Sequence, residues 1–219
     1  MKTEKDAGLM SQRAQEALFA ALVDGRLMSG QFLSMSQLVE LLGLPLAPVR
    51  EAAKMAEMHE LLTILPKRGV QVMDTGQEMT RACMDLRSIL DQEGARRRIA
   101  KDEPIAIAPL RRAHQAALKA AQGAPSPELS QRAIRTDLSL HDYLAGGLCN
   151  PLATRAYEAN RLRIAVIQNS RPFLYDRIVS AMEEHLAIID ALEARDETAC
   201  IDAIRYHYQR TLTWWGIYD

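Results

Sequence analysis

The alternation of apolar and polar positions changes character near residue 75. Before it, the elements are short and mixed. Residues 11–23 (SQRAQEALFAALV) carry apolar side chains at helical spacing, and Asp24-Gly25 ends the run. Residues 31–34 predict a short strand after the Ser29-Gly30 turn. A second helix is expected over 36–42, with Ser36 as N-cap and Gly43 as stop. A third has Pro48 in its first turn, where a missing N–H costs nothing, and runs on through VREAAKMAEMH. Two partly β-branched apolar runs, LLTIL and VQVM, flank Pro66-Lys67-Arg68-Gly69 and read as a β-hairpin. After residue 75 the pattern is helical throughout, with helices expected near 77–101, 105–121, 127–146, 151–169, 174–194 and 197–215. Pro104, the 123–127 loop (GAPSP), Gly146-Gly147, Pro151 and Pro172 separate them. Gly94, inside the first of these helices, weakens it by about 1 kcal/mol of propensity.

Helix, helix, turn, helix and hairpin within residues 1–74 is the layout of a winged helix-turn-helix. Residues 75–219 supply six helices, enough for an independent bundle with a face or centre free for a ligand. The expected fold is therefore mainly α, a small winged head followed by an all-α bundle.

Composition agrees and narrows the class. Apolar residues make 48% of the chain and aromatic ones only 5%, which favours helices over a β-sandwich. No apolar run approaches the length of a membrane span, and the N-terminus MKTEKDAGLM lacks the layout of a signal peptide. Cys83, Cys149 and Cys200 are odd in number and far apart, which suits a reducing cytoplasm; they are not spaced as a zinc cage and are expected to pack as small apolar residues. The formal charge is −1, which argues against a protein that coats nucleic acid non-specifically.

The candidate chemistry lies in the bundle. Asp137 and His141 are four apart on one helix face, roughly 5–6 Å apart at Cβ. Asp196 is a good N-cap for the last helix; His185 stands 11 residues before it and His207 11 residues after it. In an antiparallel hairpin these two lie at the same height, about 16 Å from the turn. Three imidazoles and one carboxylate suit a divalent ion, zinc by default, with nickel, manganese or iron as alternatives. Each residue alone has an ordinary reading, a hydrogen-bonded core histidine or an i, i+4 ion pair, and only their joint placement points to a metal. His59 and His114 lack such partners and are expected to be solvated.

These residues carry a resemblance. The stretch Leu38–Val72 is similar to the winged helix-turn-helix of GntR-family transcriptional regulators, through Leu42-Gly43, Pro48-Val49-Arg50-Glu51-Ala52 and the Lys67-Arg68-Gly69-Val70 wing followed by Val72. The second half resembles the FCD effector domain of the FadR branch, through Leu86-Arg87 with Asp91, Asp137-x-x-x-His141, Asn150-Pro151-Leu152, His185 and His207 after Asp196. Six bundle helices resemble the VanR-type subgroup. The resemblance implies a cytoplasmic homodimer that binds operator DNA, no enzymatic activity and no membrane. It also implies a divalent metal on Asp137, His141, His185 and His207, and a small carboxylate effector near Arg87 and Asn150.

The DNA-reading residues depart from the family pattern. Where relatives carry Ser-Arg-Thr before the proline, this chain has Pro45-Leu46-Ala47, and a usual basic position is Ser36. Arg50, Lys54, Lys67 and Arg68 remain as candidate DNA contacts. Residues 1–74 hold 8 Lys and Arg against 9 Asp and Glu, where a DNA-binding module is ordinarily basic. Weaker and differently specific operator binding is therefore expected. Two rival readings stay open: a metalloenzyme acting on a small organic acid through the Asp/His site, and a ligand-binding module whose DNA head has fallen out of use.

Overall fold

In the computed structural model, which describes residues 2–101, 104–123, 127–171 and 175–217, each element can be traced to a local cause. Helix α1 (Lys2–Val23) starts earlier than its apolar stripe and ends at Gly25. Helix α2 (Met35–Leu42) is capped by Ser34 rather than Ser36. Ser34 has Gln37 three residues on, so hydroxyl and amide close a reciprocal capping box that Ser36, followed by Val39, cannot form. Helix α3 (Leu46–Met58) has no side-chain cap. Its first intrahelical bond, from Val49 N–H to the Pro45 carbonyl, falls just beyond the missing donor of Pro48.

Strands β1 (Phe32–Leu33), β2 (Leu62–Leu65) and β3 (Gly69–Val72) form an antiparallel sheet in the order β1-β3-β2. The hairpin pairs Ile64 with Val70, and β1 lays Leu33 against the same Val70. Glycine is required at position 69: its φ is 143°, and a Cβ there would sit 2.1 Å from the Leu33 carbonyl oxygen.

The bundle helices are α4 (Gln77–Ala100), α5 (Ala108–Ala121), α6 (Pro127–Ala145), α7 (Pro151–Asn169), α8 (Tyr175–Glu193) and α9 (Glu197–Trp214). Helix α5 begins three residues later than expected, because a start at 105 would place the Pro109 ring against the carbonyl of Ile105. The expected loop residues 124–126 and Pro172 lie outside the described residues. Gly94 is explained by packing. A Cβ on it would meet the Leu144 carbonyl at 2.2 Å, so glycine lets α4 approach the end of α6. The α8–α9 turn is Ala194-Arg195-Asp196, with Asp196 capping the Ala199 N–H at 2.9 Å.

The chain divides into two units, Met1–Met79 with Leu162–Ser170, and Thr80–Arg161 with Arg171–Asp219. In the first, Leu18, Leu22, Leu38, Val49, Leu61 and Val70 form the core around α1 packed on α3. The late turns of α7 belong to it: Val166 enters this core, and Asn169 donates to the Leu22 and Val23 carbonyls. In the second, Leu140, Leu144, Ile188, Ile189, Leu192 and Ile204 bring α6, α8 and α9 together, and α5 packs on α6 and α8. Cys83 and Cys200 are buried as expected. Cys149 is not; it is exposed at the turn before α7, where its φ of 46° suits a tight reversal and its thiol accepts from Lys101 at 3.3 Å. None of the described helices is long and apolar enough to cross a membrane.

Candidate functional site

The second unit converges on four buried side chains: Asp137 and His141 from α6, His185 from α8 and His207 from α9. One ligand atom from each lies within 4.8 Å of all the others. The equal spacing about Asp196 puts His185 Nε2 and His207 Nε2 at 3.2 Å. His185 Nε2 also lies 3.4 Å from Asp137 Oδ1, and His141 Nε2 lies 4.0 Å from Asp137 Oδ2.

A surrounding ring of polar groups fixes these imidazoles. His141 Nδ1 bonds Asp91 Oδ2 at 2.6 Å, and His207 Nδ1 bonds Glu184 Oε2 at 2.7 Å. A carboxylate only accepts, so each Nδ1 carries the ring proton and each Nε2 turns its lone pair to the centre. Arg177, itself buried, donates to Glu184 at 2.8 Å and to Thr211 at 2.7 Å. Arg87 donates to Asp137 Oδ2 at 3.1 Å and has Asp91 at 3.7 Å. Burial pulls His185 well below the ordinary histidine range, with the nearby His207 and His141 adding to it. Burial takes His207 down to about 4, against the opposing pull of Glu184. Burial would raise Glu184, but its bonds from His207 and Arg177 hold it below the ordinary carboxyl value. Neutral imidazoles beside ionised carboxylates are what a cation requires.

The donor set fits a divalent metal on three counts. It offers three imidazole nitrogens and a carboxylate oxygen, a set suited to a borderline-soft ion. His141 Nε2 is buried without a hydrogen-bond partner, an orphaned acceptor aimed at the cluster. The two guanidiniums, Arg87 and Arg177, face three carboxylates, Asp91, Asp137 and Glu184, leaving one negative charge for a cation to offset.

Space beside the cluster is small. A cavity of about 10 Å³ opens between α4 and α9, bounded by Met84, Arg87, Asp91, Ile204, His207 and Tyr208, room for about one water. A larger groove of about 590 Å³ runs along α8 and α9 past Glu183, Asp202, Tyr206 and Arg210. Its acidic lining does not suit an anionic ligand.

Several expected roles change. His114 is fully buried rather than solvated, its ring centroid 5.2 Å from that of His185. Leu110, His114, Ala117 and Ala121 form one inward stripe of α5, a signal that the neighbouring Arg111 and Arg112 obscured. His59 is half-buried at the end of α3, edge-on to Phe19. Asn150 is exposed and caps α7, its Oδ1 accepting from Leu152 and Ala153 N–H groups, so it is not gathered with the cluster. Two further carboxylates, Asp91 and Glu184, stand beside the ligands, where spacing along one helix or across one turn does not place them.

In the first unit, Ser36, Arg50, Lys67 and Arg68 line one groove of about 390 Å³ between α2, α3 and the hairpin tip. Lys54, one turn along α3 from Arg50, is exposed and pairs with Glu51 at 2.8 Å. Leu46, in the first turn of α3, is 44% exposed.

Comparison with known proteins accords with both halves. Residues 10–72 match the family of bacterial regulatory proteins of the gntR type, and residues 82–210 match the FCD domain. No curated protein sequence matches the chain. Among solved structures, Escherichia coli McbR/YncC aligns with a TM-score of 0.80 at 17% identity, covering 96% of this chain and 99% of its own. A GntR protein of Rhodococcus sp. RHA1 aligns at 0.76 and 18% identity over 95% of this chain and 99% of its own. Lar of Listeria monocytogenes aligns at 0.60 and 11% identity over 95% and 97%. At these identities the likeness is one of fold, while the two matched segments cover most of the chain. The chain is a member of the GntR family of transcriptional regulators, a gntR-type DNA-binding head followed by an FCD effector-binding domain.

Proposed function

We propose that this regulator works as a cytoplasmic homodimer whose bundle holds a divalent metal, zinc by default, on Asp137, His141, His185 and His207, and senses a small carboxylate. The observation that carries this reading is the buried convergence of those four side chains, with two of the histidines locked by carboxylates. A bound ion would supply a positive charge, and with four protein donors it would take an oxygen of the acid by expanding its coordination beyond four. Arg87 is the protein's own anion partner. Once the Asp137 carboxylate turns to a cation, Arg87 retains Asp91 and gains donors for the acid. Because the adjoining cavity holds about one water, an acid enters only as the wall of Met84, Ile204 and Tyr208 opens. Binding is thus coupled to a shift between two states, which is what an effector needs to alter DNA affinity. Asn150 keeps its capping role in this reading.

In the head, Arg50, Lys67 and Arg68 contact operator DNA, with Lys54 helping where Glu51 releases it. The few basic groups and the charge of the head make dimer bivalency important and salt dependence shallow. The test has two arms. Elemental analysis of purified protein should find close to one divalent ion per chain, lost from a His185→Ala, His207→Ala double variant. Selection from random DNA should enrich a two-fold symmetric site that zinc-loaded protein binds and a panel of carboxylic acids modulates. Failure to enrich any site refutes DNA recognition, and absence of metal refutes the centre.

The rival enzyme reading gains Asp91 and Glu184 as nearby carboxylates. Both accept Nδ1 protons from ligand histidines, so they hold ligands in place rather than standing free as general bases. Turnover of an organic acid by metal-loaded protein would favour that rival.

A further inference from the structure

Each histidine of the centre needs an acceptor for its Nδ1 proton, so that Nε2 keeps its lone pair for a cation. His141 has Asp91, and His207 has Glu184. His185 has no carboxylate there; its Nδ1 is buried without a hydrogen-bond partner. The ring beside it is His114 of α5, centroids 5.2 Å apart and planes at 63°. His114 Nδ1 lies 2.8 Å from the Leu110 carbonyl oxygen. A carbonyl only accepts, so this Nδ1 is the protonated nitrogen and Nε2 of the neutral ring carries the lone pair. That Nε2 is also buried and unpartnered. Once a cation takes the His185 Nε2 lone pair, the proton that Nε2 shares with His207 in this structure has to sit on Nδ1, and one ring then lacks an acceptor while its neighbour lacks a donor.

We infer that His114 is the positioning residue of His185, its Nε2 accepting the His185 Nδ1–H when a divalent ion draws His185 Nε2 to the centre. The inference rests on the metal reading above. It completes a relay in which His185 donates to His114 and His114 donates to the Leu110 carbonyl, the last turn being set by the α5 backbone. A neutral acceptor suits this corner. His185 and His114 are both 0% exposed, and a fourth carboxylate would add a buried negative charge to a corner that already has Asp137 at 3.4 Å from His185.

The test titrates zinc into metal-free, full-length protein against a chromophoric chelator, for wild type, His114→Leu and His114→Gln. Leucine fills the volume without an acceptor, while glutamine restores one. His114→Leu should weaken zinc binding roughly 10- to 100-fold, and His114→Gln should recover most of that loss. A purely space-filling role predicts two equal variants. A second measurement needs no variant: ¹⁵N-histidine NMR of the zinc-loaded wild type should show His114 protonated at Nδ1 and accepting at Nε2, with His185 protonated at Nδ1. The inference is overturned if the leucine variant binds zinc within twofold of wild type, if glutamine is no better than leucine, or if His114 carries its proton on Nε2. Wild-type protein that binds none of zinc, nickel, manganese or iron would overturn the metal reading, and this inference with it. Tight zinc binding unaffected at His114 would remove only the role of that residue.

Discussion

Arg87→Leu should separate the two roles that the geometry gives this side chain, counter-ion of Asp137 and anchor of an acid. The guanidinium lies 3.1 Å from Asp137 and 3.7 Å from Asp91, with all three side chains at least nine-tenths buried. Removing it leaves two carboxylates in a low-dielectric interior with no facing cation on that side. Breaking a buried pair in this way costs about 3–5 kcal/mol. For a chain of this size that lowers the melting midpoint by roughly 6–20 °C. A divalent ion at the cluster supplies the missing positive charge. Zinc should therefore raise the midpoint of the leucine variant by more than it raises that of wild type, closing much of the gap. The assay is far-UV circular dichroism melting of both proteins in chelator and in excess zinc. The acid-binding role is read separately, because the zinc-loaded variant should lose any further rise on adding carboxylic acids. Coincident melting of the two proteins in chelator would refute the charge argument. Equal zinc increments would refute the claim that a cation and Arg87 neutralise the same carboxylate.

Acid should destabilise metal-free protein before ordinary carboxyl groups titrate. His207 binds a proton at about 4 when folded and near 6.5 when unfolded, so stability is full above 6.5, falls as the unfolded chain takes up the proton, and levels off below 4. At pH 5 this one residue should cost about 2 kcal/mol, read as a lower urea midpoint than at pH 7.5, with His185 adding in the same direction; a flat midpoint would contradict it. Arg50→Ala should weaken binding to the selected operator by roughly 5- to 100-fold per half-site, measured by fluorescence anisotropy. An unchanged Kd and salt slope would remove Arg50 from the DNA contacts. Asn150→Ala should lower stability by about 1 kcal/mol through the lost α7 cap and leave carboxylate binding intact, checked by melting with and without acid. Loss of the acid response would return Asn150 to the effector site.

The helices were legible because their punctuation is local. Asp24-Gly25, Gly43, Pro151 and Asp196 act within a turn of themselves, so their effect can be read without knowing what packs nearby. Local punctuation is ambiguous where two signals compete. Ser34 and Ser36 are both acceptable N-caps, and only the partner three residues on, Gln37 against Val39, decides between them. Gly94 has the opposite character. By propensity it is a flaw in α4, and its reason lies in the carbonyl of Leu144, fifty residues away. A packing requirement of that kind leaves no trace within one helical window.

The same division explains the site. His185 and His207 could be paired by counting because a short turn sets the register of the two helices it joins, and Asp196 marks that turn. Asp137 and His141 could be paired because one helix sets its own register. Neither rule reaches from α4 to α6, where Asp91 meets His141 and Arg87 meets Asp137, since the register there depends on how two long connections settle. Glu184 was hidden differently. It precedes His185 directly and so points away from that residue, yet this aims it at the far side of His207, where Arg177, two turns earlier on α8, also arrives. His114 shows why composition misleads at such a position. Two adjacent arginines made its neighbourhood look solvated, but the residues sharing its face are Leu110, Ala117 and Ala121, and a histidine on that stripe has to find a polar partner inside the bundle. Leu110 satisfies one nitrogen. The other is left beside the unpartnered Nδ1 of His185, and under the proposed metal reading that pairing, rather than any motif, ties α5 to the centre.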